Sequence, residues 1–101
     1  RASTSQTYEG LAMSIHTTLA IEAFRKAERA RRNFGKAEAE LCKAARLVPP
    51  EEKDIYFFTT EIIRLEYDKR DSQANHNQEG IDAAERIIAE FKRKLSDLRS
   101  K

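Results

Sequence analysis

The sequence predicts an all-α protein, an antiparallel bundle of four helices. Ala, Glu, Lys, Arg and Leu dominate its 101 residues, with only three Gly and two Pro, the composition of a helix bundle or coiled coil. Apolar residues recur every three or four positions in four successive segments, the period of an amphipathic helix. No stretch shows the strict apolar–polar alternation of a half-buried strand. The expected helices span about 8–32, 34–48, 50–70 and 78–99.

Arg1–Gly10 is polar and rich in Ser and Thr, so it is expected to form a flexible segment. Residues 11–101 then form one helical domain. The first helix is expected to start near Tyr8–Leu11 and to run to Arg32. Leu11, Ile15, Leu19, Ala23 and Ala27 repeat every fourth residue on one face, with Phe24 beside it. A short turn at Arg32–Gly35 implies antiparallel neighbours, and Asn33 is placed to cap the second helix.

The second helix runs from Phe34 to Val48, because Pro49-Pro50 cannot continue the hydrogen-bond ladder. Pro50 suits the first position of the third helix, and Glu51, Glu52 and Asp54 complement its positive end. Ile55, Phe58, Ile62 and Leu65 follow as a seam of coiled-coil type. Asp71–Gly80 reads as a polar loop, with Asn75 or Asn77 as cap of the fourth helix. That helix has the clearest period in the chain: Ile81, Ala84, Ile88, Phe91, Leu95, Leu98.

Charge and cysteine content bound the function. Nineteen basic and 17 acidic residues leave a net charge of +2, so an electrostatic role must lie in the distribution of charge. The single Cys42 excludes an internal disulfide framework and fits a reducing compartment, hence an intracellular, cytoplasmic location. No apolar run approaches the ~18 residues of a membrane span. The N-terminus has neither the apolar core of a signal peptide nor an initiator Met. A fragment or processed chain, with flanking domains elsewhere, is therefore expected.

Ile21 and Phe24, then Asn33-Phe34, Ala37, Leu41, Ala44 and Pro49, follow one another as in a tetratricopeptide repeat, which Ile21–Pro49 resembles. Arg25 and Glu28 depart from that pattern, standing where a small residue and a large apolar one are usual. Through Ala27, Asn33-Phe34, Ala37 and Lys43-Ala44 the same stretch is also similar to the microtubule-interacting and transport domain, a three-helix bundle. Both resemblances imply a non-catalytic receptor for a peptide or helix.

The candidate site residues fall in two groups. Arg25, Arg29, Arg32 and Lys36 are spaced by four, three and four, so a persistent helix would align them as a basic stripe. Such a stripe would hold phosphates or an acidic peptide. Tyr56 and Phe57, with Phe58 and Tyr67, concentrate aromatics on the third helix, either as core or as a strip receiving a partner helix or a second copy of the chain.

The leading expectation is a protein-interaction module binding an amphipathic helix or peptide, homo-oligomers included. The alternatives are nucleic-acid or phosphate binding through Arg25–Lys36 and phosphotransfer on His16. No catalytic residue set, cofactor or metal site is expected. His16 and His76 stand apart without the further ligands that a metal needs. Cys42 reads as a half-buried structural thiol beside Lys43, with no base placed near it.

Overall fold

The computed structural model describes residues 5–8, 11–30 and 34–99, with side chains for 13–30 and 35–98. Its elements are β1 (Ser5–Tyr8), β2 (Leu11–Ser14), α1 (Ile15–Arg29), α2 (Phe34–Ala45), a 3-10 turn (Pro50–Glu52), α3 (Lys53–Ala74) and α4 (Gln78–Arg99). Four helices dominate, as the sequence predicts. They fall into two compact units, Arg1–Tyr56 and Phe57–Lys101.

The first unit opens with a departure from the predicted helix. β1 and β2 pair antiparallel, Ser5 opposite Ser14 and Tyr8 opposite Leu11. Helix α1 therefore starts at Ile15, not near Tyr8–Leu11. The cause is local. Ser14 has extended backbone (φ −69°, ψ 161°), and its hydroxyl accepts the Thr17 N–H at 3.4 Å. That is an N-cap, which ends the strand and starts the helix at one residue.

The buried stripe of α1 is Thr17, Ala20, Ile21 and Ala27, rotated from the one expected. Ala27 is shared, and Ile21, apolar in the repeat-like stretch, is buried with it, whereas Leu19 is 54% exposed. Thr17 can be buried because its hydroxyl donates to the Glu52 carboxylate. The helix stops at Ala30, whose N–H is shared between Lys26 O (3.0 Å) and Ala27 O (3.2 Å). Arg32 and Asn33, the expected turn and cap, lie outside the described residues.

Helix α2 folds back along α1, so that Ala23, Lys26 and Ala30 face Lys36, Ala37 and Glu40. Gly35 belongs to its first turn rather than to the connection. It ends at Ala45, three residues short of the predicted Val48. Leu47 N–H and Val48 N–H instead close tight turns onto Ala44 O and Ala45 O, at 3.1 and 3.2 Å. The residue before a proline is pushed out of helical conformation, so the ladder tightens before Pro49. Val48 is buried, and Pro50 opens the 3-10 turn.

The second unit is a helical hairpin. Helix α3 buries Thr59, Thr60, Ile62, Ile63 and Leu65. It runs to Ala74, four residues beyond prediction, and the predicted ten-residue loop shrinks to Asn75–Asn77. There Asn77 N–H bonds Ser72 O at 2.8 Å and His76 N–H bonds Gln73 O at 3.2 Å, with His76 at φ 55°. This is a Schellman stop with a left-handed residue. Asn77 then caps α4, its Oδ1 accepting the Gly80 N–H at 3.1 Å.

Gly80 sits tightly at this joint: a Cβ there would push against the side chains of Ser72 and Asn77. Helix α4 spans the predicted 78–99 and buries Ala84, Ile88 and Leu95. Phe57 and Phe58 of α3 meet Phe91, and Lys69 Nζ lies 3.0 Å from Glu85 Oε2. The two helices are thus antiparallel.

Candidate functional site

The most specific feature of the first unit is a cleft of about 270 Å³ between α1 and α2, lined by Ala23, Lys26, Ala30, Lys36, Ala37 and Glu40. Its floor follows from residue size. Alanine methyls at Ala23 on α1 and at Ala30, its C-cap seven residues on, let a facing helix come close without filling the gap. Ala37 answers them from α2. Lys26 and Lys36 are both exposed and come from successive helices, with Glu40 one turn on from Lys36. Their methylene stems can cover apolar surface while the ammonium groups stay in water. The lining carries two positive charges and one negative.

The predicted basic stripe does not run along a single helix. Helix α1 ends at Arg29, and Lys36 begins a different helix, so these residues do not share one helical face. Arg25 is half-buried and engaged within the chain. Arg29 is exposed, and Arg32 lies outside the described residues. The structure instead sets Lys36 on one cleft with Lys26, which belongs to the basic run Arg25–Lys36 but not to the stripe, and adds Glu40. The signal was present in the alanine spacing, but using it required knowing where α1 stops.

Tyr56 and Phe57 are not brought together either. Successive helical residues point about 100° apart. Tyr56 is half-buried, and its phenol is pushed up from 10.0 by burial and by the neighbouring Cys42. Cys42 itself is exposed, not half-buried as expected.

Phe57 belongs to an aromatic cluster in the second unit. It meets Phe58 edge to face (centroids 5.7 Å, 63°) and Phe91 likewise (6.2 Å, 84°). Lys94 Nζ lies 5.8 and 5.5 Å from the Phe58 and Phe91 rings. Phe57 is still 52% exposed, so it is part core and part surface. Tyr67, farther along α3, lies under the Arg70 guanidinium at 5.0 Å.

The polar centre of the first unit is structural. Glu52 Oε1 receives Ser14 N–H at 3.0 Å, Ser14 Oγ–H at 3.2 Å and Thr17 Oγ–H. Partial burial pushes the Glu52 pKa up, but the bonds from Thr17 and Ser14 outweigh it and hold the carboxyl below 4.5. A carboxylate at a helix N-terminus also meets the positive end of the macrodipole.

His16 is exposed on the first turn of α1, and His76 occupies the α3–α4 joint. Among the described residues no three His, Cys, Asp or Glu side chains cluster to hold a metal, and no helix is long and apolar enough to cross a membrane. No protein-family model, curated protein or solved structure matches the chain.

Proposed function

We propose that this chain is a non-catalytic protein-interaction module whose α1–α2 cleft receives one apolar anchor of an amphipathic helix or peptide with acidic flanks. The observation that carries the reading is the pairing of an alanine floor with lysines from two successive helices. Pockets for drug-sized ligands usually enclose about 300–1,000 Å³. The cleft's 270 Å³ is smaller and suits one or two side chains of a partner. Affinity comes from burying that anchor, because exposed ion pairs add only about 0–1 kcal/mol each. Lys26 and Lys36 then select the acidic flank and set its direction. The resemblance of Ile21–Pro49 to a tetratricopeptide repeat agrees with a peptide-receiving helical hairpin.

The test is a titration of isotope-labelled chain with a helical peptide carrying leucine anchors and glutamate flanks. Saturable amide shifts are expected at Ala23, Lys26, Ala30, Ala37 and Glu40. The double variant K26E/K36E should weaken binding by about tenfold or more and should prefer lysine flanks. Shifts that never saturate, or binding that survives both K26E/K36E and a cleft-filling A37W, would overturn the proposal.

A further inference from the structure

The face of α1 that lines the cleft continues beyond it. Leu19 precedes Ala23 by four residues and Lys26 by seven, so the three lie within about 60° of one another around the helix. Ala23 and Lys26 line the cleft, and Leu19 is 54% exposed. The buried stripe of Thr17, Ala20, Ile21 and Ala27 is centred about 135° away, so Leu19 has no place in the core. Among the described residues the first unit exposes one other large apolar side chain, Leu47, which lies past the end of α2.

We infer that the partner of the cleft is a helix with two apolar anchors seven residues apart, the second seated on Leu19; this rests on the cleft receiving the first. The spacing follows from the geometry of α1. Lys26 marks the middle of the lining on that side, and Leu19 lies seven residues, about 10.5 Å, along the axis from it. A partner helix lying along α1 repeats the interval with its own residues i and i+7, which share one face. Anchors at i and i+4 are only about 6 Å apart and stop short of Leu19, whereas i+11, at about 16.5 Å, passes it.

Charge places the partner's acids. In the lining Lys26 and Lys36 outnumber Glu40, while the charged residue of α1 nearest Leu19 in sequence is the exposed Glu22. The acidic flank therefore surrounds the cleft anchor, and the residues beside the second anchor are neutral or basic. Partial burial of a second leucine should strengthen binding by about tenfold.

Three alanine-based helical peptides with the same glutamates test this on the full chain. One carries a single leucine, one carries leucines at i and i+7, and one moves the second leucine to i+9, on the opposite side of the helix. The i,i+7 peptide should bind about tenfold more tightly than the other two. L19A should cancel that gain and bring it to within about twofold of the single-leucine peptide. I87A, which removes an exposed apolar side chain of the second unit, should leave the gain intact. Leu19 is exposed, so L19A keeps the fold; circular dichroism and unchanged binding of the single-leucine peptide check this.

Equal affinity of the i,i+7 and i,i+9 peptides, or a gain that survives L19A, overturns the two-anchor partner. So does loss of single-leucine binding in L19A with helicity kept, because Leu19 then belongs to the seat of the first anchor. In each case the cleft itself stands if the single-leucine peptide binds the wild type and loses affinity in K26E/K36E. If no peptide binds, or if single-leucine binding ignores K26E/K36E, the cleft falls and the two-anchor partner falls with it.

Discussion

Replacing Glu52 by Gln should destabilise the first unit by about 1–2 kcal/mol at neutral pH. The carboxylate receives three hydrogen bonds, from the Ser14 amide, the Ser14 hydroxyl and the buried Thr17 hydroxyl. Bonds to a charged acceptor contribute about 1.5–3 kcal/mol, against roughly 1 for neutral ones. Gln keeps a neutral acceptor, so only the charge-dependent part is lost, and contact with solvent reduces it further. The lost macrodipole term adds about 0.3–1 kcal/mol. Alanine should cost more, about 2–3 kcal/mol, because it strands the Thr17 hydroxyl without its acceptor.

Urea denaturation followed by circular dichroism, repeated across pH, measures the effect. Folding lowers the Glu52 pKa, so the folded chain holds that proton less tightly than the unfolded one. The stabilisation is complete above the unfolded value of 4.5. It is lost as pH falls through the lower folded value. The gap between wild type and E52Q should therefore be constant above about pH 5.5 and close in acid. Equal stability of the two proteins at neutral pH, or a gap that ignores pH, would refute the reasoning.

Three further substitutions probe the second unit. His76 holds a left-handed backbone, so His76→Gly should stabilise by about 0.5–1 kcal/mol in the same denaturation assay. Gly80→Ala gains about 1 kcal/mol of helix propensity. Its methyl also collides with Ser72, and overpacking of about 1–3 kcal/mol should make the variant less stable, visible as a lowered midpoint. Thr59 Oγ1 is buried with no hydrogen-bond partner. Thr59→Val removes that unsatisfied group at nearly constant shape and should raise the midpoint by up to about 1 kcal/mol. A drop instead would mean that the hydroxyl has an acceptor.

The fourth helix was legible from end to end because its apolar residues keep one period from Ile81 to Leu98 and nothing interrupts it. The first helix was not. Apolar spacing selected Leu19, which is exposed, and passed over Thr17, which is buried. A threonine enters the core only when its hydroxyl is satisfied, and its acceptor, Glu52, lies 35 residues away. Periodicity carries no information about such a pair.

The strand pair was missed for a related reason: four residues are too few to show alternation. Its one sequence signal was the two-residue gap ending in Gly10. The C-terminus of α3 was misplaced because Asp71–Gln73 is polar. Polarity there marks a solvated last turn, whereas the stop itself is written in Asn75, His76 and Asn77. The cleft was half legible. Its alanines were seen as helix-packing residues, but Lys26 and Lys36 become neighbours only because α1 stops before Arg32.

The joint between α3 and α4 has an evolutionary consequence. Its three residues connect two caps with no slack: His76 and Asn77 close one helix while Asn77 starts the next. One inserted or deleted residue would rotate everything downstream by about 100°. Ile88 and Leu95 would then turn toward water. Divergent descendants of this chain should therefore change length elsewhere, and an alignment that opens a gap between Ser72 and Gly80 is suspect on physical grounds alone.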